Sequence, residues 1–500
     1  MPESTEPITP KAIDPIKYTI FYGTFIHTPT LSNLEINLFT LVGIDQNGTI
    51  DFIYKNNNQI TNEDELKKTF IRKRNESNNN KIELQDITFI NYSKDLSKFF
   101  FPGFIDTHIH ASQYPNIGVG LGVPLLDWLK EYTYPVENEF SSPVTKFEFA
   151  KLIYSKVIAR TLSNGTTCAS YFTTIDLDTT KLFADLLLTY GQRGFVGKVC
   201  MDHNDVYEEY EESESDCIQS MNELINYCNE INPKSENLIK PIITPRFAPV
   251  CSSSLLNTLG SMSKKYNLPI QTHISENLEE IKLVKKLFPE SEGYAEVYNE
   301  AGLLNNRTIL AHAIHLTKKE SNLISEKQCS ISHCPTSNTF ISSGEAPIYK
   351  YLNKYNINVS LGTDVSGGFD SSILQMIKFS ILVSHHLSMK KNKSTDEEED
   401  VRLSLSTALY MATMGGAKAV GLQDKIGSFD IGKKFDAQLI DLSSKNSNID
   451  IFNWHIPNFK DNEEENFKKI KDLLGKWVFS GDDRNTTKVW CNGRLVIDKS

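Results

Sequence analysis

From about residue 98 to residue 435 the sequence repeats one unit, a short apolar run followed by an amphipathic stretch of helical period. The runs fall at FFFPGFI (99–105), TTCASYF (166–172), GFVGKVC (194–200), IKPIITP (239–245), LPIQTHI (268–274), RTILAHA (307–313), CSISHC (329–334) and INVSLGT (357–363). Helical stretches separate them, among them FEFAKLIYSKVIARTLSNG, which Gly165 would stop, and SSLLNTLGSMSKKYN. Eight such units in succession predict an α/β chain folded as a (β/α)8 TIM barrel, in which reactive side chains stand at the C-terminal ends of the strands. An open doubly wound sheet is the alternative arrangement of the same units.

The chain ends read differently. Residues 1–15 are rich in Pro, Thr and Glu and are expected to be disordered. YTIFYGTFIH, INLFTLVGID and TIDFIYK look like short strands, and strand-like pieces return late, as DAQLIDL and KVWCNGRLVID. Pairing across the two ends predicts a small β-sandwich-like domain built from 16–97 and 436–500, beside a hydrolase barrel over 98–435. Asn-rich patches at 56–58 and 75–80 and the acidic run 396–400 read as loop expansions.

A net charge of -11 argues against a surface that neutralises phosphates, so no nucleic-acid partner is expected. The densest basic spots, Lys286 and Lys390, Lys391 and Lys393, read as solvated helix ends or loops. The eight cysteines include no C-x-x-C pair, which suits neither a disulfide framework nor a zinc ribbon, and they read as reduced, buried thiols. No apolar segment has the length of a membrane span, and the N-terminus lacks the pattern of a signal peptide. A cytosolic location without membrane contact is the default expectation.

The chemistry concentrates at strand ends. His108 and His110 close IDTHIH, and residues i and i+2 of a strand share a face at roughly 6.5 Å, so both rings can converge on one ion. Alone, the H-x-H pattern fits two structural histidines equally well. Its weight grows because His273 ends IQTHI, His312 sits in ILAHA and Asp364 follows SLGT, each at a later strand end. Three imidazoles and a carboxylate drawn from this set suit Zn²⁺ with one position open to water, whose pKa the ion can lower to about 7. Glu276, in HISE, is not needed as a ligand and is suited to moving protons; it also reads as a carboxylate complementing the dipole of the following helix. Asp364 reads alternatively as a loop aspartate before the glycines at 367 and 368. His333 ends a strand too, and a structural hydrogen bond is its expected role. The other zinc deaminase pattern, H-x-E with P-C-x-x-C, is absent.

PGFIDTHIH, QTHISE, ILAH and GTDVSGG resemble the amidohydrolase superfamily in its mononuclear-zinc branch. ITPRF offers no lysine for a carboxylated bridge, so the resemblance implies one Zn²⁺ per subunit. THIHASQYPN, PLLDWLKEYTYPVE, NGTTCASYF, GQRGFVGKVCMD, TPRF and SHCPTSN, with GDDRN and CNGR, are similar to the guanine-deaminating members over nearly the whole barrel. The chain departs from that pattern at Ala313, where glycine is usual, and in its Asn-rich insertions.

The resemblance implies that His108, His110, His273 and Asp364 hold the metal, with Asp364 also taking a proton from the attacking water. It implies that Glu276 protonates a ring nitrogen and that His312 orients the attacking oxygen, unless His312 itself completes the metal sphere. Gln113 and Arg246 would grip the polar edge of the purine, an amide and an always-charged fork matching its donors and acceptors. Phe247 would pack beside the ring, or serve as a core aromatic. His110, His273, Glu276 and Asp364 would also face the substrate. The implied reaction is hydrolysis of guanine to xanthine and ammonia, with guanine and water as the small-molecule partners, in a homodimer. Deamination or dechlorination of another heterocycle, a non-catalytic barrel scaffold and base editing in a polynucleotide are the alternatives.

Overall fold

The computed structural model describes residues 17–56, 62–232, 238–390, 401–457 and 462–500. The tract 1–15, Asn57 and Asn58, Lys391, Lys393 and the acidic run 396–400 lie outside them.

The repeating unit builds two parallel four-stranded arcs. One runs Phe104–His110, Thr166–Phe172, Arg193–Gly197, Ile239–Pro241; the other runs Ile270–Ile274, Thr308–His312, Ser330–His333, Asn358–Leu361. Helices follow the strands, as parallel neighbours require. At one seam Ile243 bridges to Ile270, and at the other Asp364 N–H donates to His108 O at 2.8 Å and His110 N–H to Val365 O at 3.1 Å. Buried polar side chains cross between the arcs: Thr107 Oγ1 lies 2.7 Å from Ser332 Oγ and 2.8 Å from Ser360 Oγ, and Ser170 Oγ donates to Gln271 Oε1 at 2.7 Å. The layer is TIM-barrel-like, and Phe104–His110, Thr166–Phe172 and Ile270–Ile274 are buried along their whole length.

Strands from both chain ends share one eight-stranded sheet, in which Ala437–Asp441, Thr486–Cys491 and Arg494–Asp498 join Tyr18–Thr30, Asn33–Ile44, Ile50–Lys55, Ile87–Asn91 and Lys98–Pro102. The last hairpin turns on Asn492 and Gly493, both at positive φ, the backbone that an Asn-Gly turn requires.

Two expectations change. The run 99–105 is not one barrel strand: Lys98–Pro102 pairs antiparallel with Ala437–Asp441, and the barrel-like strand starts at Phe104. The chain changes sheets at Gly103, where a Cβ would stand 2.1 Å from Thr167 Oγ1. A continuous apolar run conceals this switch because both sheets bury it. Phe100 packs with Phe21, Phe25 and Trp490 on one side, while Phe99 and Phe101 pack on Trp477. The second change is at Asn75, which lies in the helix Glu63–Ser77 rather than in a loop; that helix buries Leu66, Phe70 and Arg74, and Asn78 caps it.

A buried ion pair ties the two parts together. Arg193, opening a strand of the first arc, donates from Nε and Nη2 to Asp436 at 3.4 Å each, and Asp436 Oδ1 also accepts from Asn492 N–H at 2.6 Å. Removing one partner strands a buried charge, so Asp436→Ala is expected to cost about 3 kcal/mol of unfolding free energy. Urea titration checks this, and a midpoint equal to that of the wild type would remove the pair from any structural role.

Candidate active site

The strand ends converge as the periodicity requires. His108 and His110 close Phe104–His110 and pack against the Phe172 ring at 4.9 and 4.5 Å between centroids. His273 stands on Ile270–Ile274, His312 on Thr308–His312, and Asp364 just beyond Asn358–Leu361. All are buried. Nitrogen or oxygen atoms of His108, His273, His312 and Asp364 all lie within 4.8 Å of one another. His110 Nε2 completes the group, 3.1 Å from His273 Nε2 and 3.5 Å from Asp364 Oδ1.

Outer hydrogen bonds aim the rings. His273 Nδ1–H donates to Arg246 O at 2.6 Å, and His312 Nδ1–H to Asn338 Oδ1 at 2.9 Å, so each Nε2 turns a lone pair inward. His108 Nε2 lies 3.2 Å from Asp364 Oδ1, yet neither it nor His312 Nε2 has an aligned hydrogen-bond partner among the described residues. Buried polar atoms left this way are costly unless something else satisfies them. Several imidazole lone pairs and a carboxylate directed at one point fit a divalent ion such as zinc. His312 and Ala313 both have positive φ, at 69° and 49°, which supplies a physical reason for glycine to be usual after this histidine.

The electrostatics separate the acids. Burial raises every carboxylate here, but for Asp364 the hydrogen bond and charge of His108, with His312 and His110, outweigh it and hold the carboxyl far below its ordinary range. Glu276 has no such compensation: burial first, then the charges of Asp364 and Glu280, push it well above the ordinary value and favour a carboxylic acid. Its Oε2 lies 3.5 Å from His312 Nε2. Burial lowers His108, and it lowers His110 and His273 further, against the pull of Asp364, which raises all three.

A cavity opens onto this cluster. Gln113, Arg246, Phe247 and Glu276 are among the residues that line it, and Leu125, Trp128 and Leu129 add apolar lining. The i, i+3, i+4 spacing of those three was a readable signal of one helical face. Glu137 was missed. Fully buried, it accepts from Arg246 Nη1 at 2.6 Å and Nη2 at 3.3 Å, and from Gln113 Nε2 at 2.9 Å. In sequence it is one glutamate in a short helix and gives no sign of what it touches. His333 corrects another expectation: neither ring nitrogen has a hydrogen-bond partner among the described residues.

A model of the amidohydrolase family matches residues 99–496. The chain belongs to the amidohydrolase family. It is 44% identical to a probable guanine deaminase of Schizosaccharomyces pombe, covering 95% of this chain and 83% of that one, and 38% identical to the Homo sapiens guanine deaminase, covering 96% of both. The crystal structure of guanine deaminase from C. acetobutylicum with guanine bound in its active site superposes with a TM-score of 0.78 at 34% identity, covering 96% of this chain and 99% of that one. Within the wider family, these relatives place the chain among the guanine deaminases.

The lone imidazole of His333 generates a pH prediction. Burial first, then the charge of His312, lowers its pKa to about 3 from 6.5. The folded form therefore binds the proton more weakly than the unfolded chain, and stability is complete above the unfolded value and lost as pH falls from there through about 3. His333→Asn is expected to flatten urea-midpoint stability against pH by up to one proton across that window. Superimposable slopes for the two proteins would show that His333 does not titrate on unfolding.

Proposed function

We propose that this chain hydrolyses guanine to xanthine and ammonia with one zinc ion per subunit, held by His108, His110, His273 and Asp364. The observation carrying the reading is the convergence of imidazoles and Asp364 beside Glu276, in a cavity that Gln113 and Arg246 also line. When bound, zinc supplies an ionised water at neutral pH.

The residues then divide the work. Asp364, held as a carboxylate, accepts the proton lost by the attacking water. Glu276, held as the acid, donates to the ring nitrogen beside C2, making that carbon electrophilic as the oxygen adds; its carboxylate then carries the proton of the added hydroxyl to the departing amine, and the proton held by Asp364 restores the acid. His312, its Nδ1 occupied by Asn338, turns Nε2 toward the attacking oxygen and steadies it. Gln113 and Arg246 orient the purine, while Phe247, Trp128 and the neighbouring leucines exclude water.

The reading extends to the architecture: a (β/α)8 barrel from about 103 to 435, five residues later than the sequence suggests, and a small β-sandwich-like domain from the two chain ends that takes in Lys98–Pro102. Hydrogen-bonded seams between the arcs and the sheet shared by both ends support it. A cytosolic homodimer acting on free base rather than nucleic acid completes it; among the described residues no helix is long and apolar enough to cross a membrane.

Conversion of guanine to xanthine, followed by absorbance and ammonia release with adenine and cytosine as controls, tests the reaction. Equal turnover of adenine would redirect the assignment. Glu276→Gln is expected to keep its metal and lose roughly 10²- to 10⁴-fold in kcat; an active variant would refute proton transfer by this residue. Metal analysis separates the two possible fourth ligands. His110→Gln is expected to lose zinc and His312→Gln to retain it, and the reverse would exchange their roles.

A further inference from the structure

Gln113 and Arg246 line the cavity, whereas the acid that holds them does not. Glu137 has no exposed surface, lies in the short helix Tyr134–Asn138, and engages both ends of the Arg246 fork while taking the Gln113 amide proton. Gln113 Oε1 in turn accepts from Ser366 N–H at 3.3 Å. With nitrogen facing Glu137 and oxygen facing Ser366, the amide sense of Gln113 is settled before any ligand arrives.

Charge is the second consequence. Arg246 is cationic, but its partner carboxylate sits directly behind it. Titratable groups around this pair are Tyr134, whose ring lies 5.0 Å from the guanidinium carbon, Tyr154, Tyr210 and Cys251, and His110, His273, Glu276 and Asp364 line the same cavity. Burial pushes the tyrosines and Cys251 up, so these four are uncharged. The wall thus offers N–H donors without net charge. A neutral oxopurine keeps every hydrogen bond such donors can make. An anionic one must give up its hydration for a cation already neutralised, and it also meets the field of the carboxylate behind.

We propose that Glu137 is a specificity-determining positioning residue: by pairing Arg246 and orienting Gln113 it makes the polar wall select neutral oxopurines over their anions. The inference rests on the guanine reading, under which the product xanthine, a stronger ring acid than guanine, is released more readily once it loses its proton.

The test is binding of xanthine to zinc-loaded enzyme by calorimetry, from mildly acid to alkaline pH across loss of the first xanthine proton, with guanine KM measured in parallel. Wild-type affinity is expected to fall as the anion forms. In Glu137→Gln the uncompensated Arg246 should abolish or reverse that fall, changing the alkaline-to-acid affinity ratio roughly tenfold or more, with unchanged zinc content and a raised guanine KM. Glu137→Asp keeps the charge, so it should retain the wild-type pH slope while KM rises. A Glu137→Gln slope equal to that of the wild type, or a wild type that binds the anion as tightly as the neutral form, overturns the proposal. Should Glu137→Gln fail to fold, Arg246→Gln leaves the carboxylate unpaired and must steepen the fall; an unchanged slope overturns the proposal equally. Wild-type protein that ignores guanine yet shows the charge-dependent xanthine slope would sink the guanine reading alone. Guanine turnover with a flat slope would sink only the inference about Glu137.

Discussion

The structure depends on the cost of burying polar groups that have no partner of their own. At the ends of the parallel strands, His108, His110, His273, His312, Asp364 and Glu276 are all withdrawn from solvent. Such a cluster is tolerable only if each member is aimed and satisfied. The backbone carbonyl of Arg246 and the amide of Asn338 occupy the outward nitrogens of two rings, which leaves their inward nitrogens as electron-pair donors. Opposed surroundings then divide the two carboxyl groups: Asp364 lies among imidazoles and stays ionised, while Glu276 faces other acids and keeps its proton. The two carboxyl groups lie 3.5 and 3.8 Å from the same His312 Nε2, and their divided proton affinities suit the base and acid of the proposed hydrolysis.

Everything around the cluster serves to hold these groups at fixed separations. Parallel pairing places Ala311 beside His273 and His312 beside Ile274, so a register slip of one residue would turn a ring away from the cavity. Asp106 anchors the closing seam, accepting from Thr363 Oγ1 at 2.5 Å and from the backbone N–H groups of Thr363 and His108. This ties the strand bearing two histidines to the turn bearing Asp364. The mixed sheet from the chain ends lies outside the catalytic layer, yet the Arg193–Asp436 pair and the sheet switch at Gly103 couple it to the first strand of the site.

Much of this was legible in the linear chain. Strand ends at His108, His273, His312 and Asp364 follow from apolar runs bounded by polar residues, whereas KVWCNGRLVID, read as one strand-like piece, turns at Asn492 and Gly493 into two. The failures share a cause. The run 99–105 looks like one strand because burial by two different sheets leaves the same apolar signature as burial by one. Asn75 reads as loop by composition, whereas tertiary packing of Leu66 and Phe70 carries the helix through it. His333 looked like a hydrogen-bonded structural histidine because a sequence reveals a donor and an acceptor but not whether anything meets them.

What the sequence determined by itself is the repeating unit and the residue types at each strand end, since period and polarity are local properties of the chain. Tertiary structure alone decided which groups meet. It brought Glu137 to Arg246 and Gln113 across 109 and 24 positions of sequence, and it gave Asp364 and Glu276 opposite protonation by surrounding them differently. Proton affinity and charge neutralisation depend on distance and local dielectric, and neither quantity exists until the chain has folded.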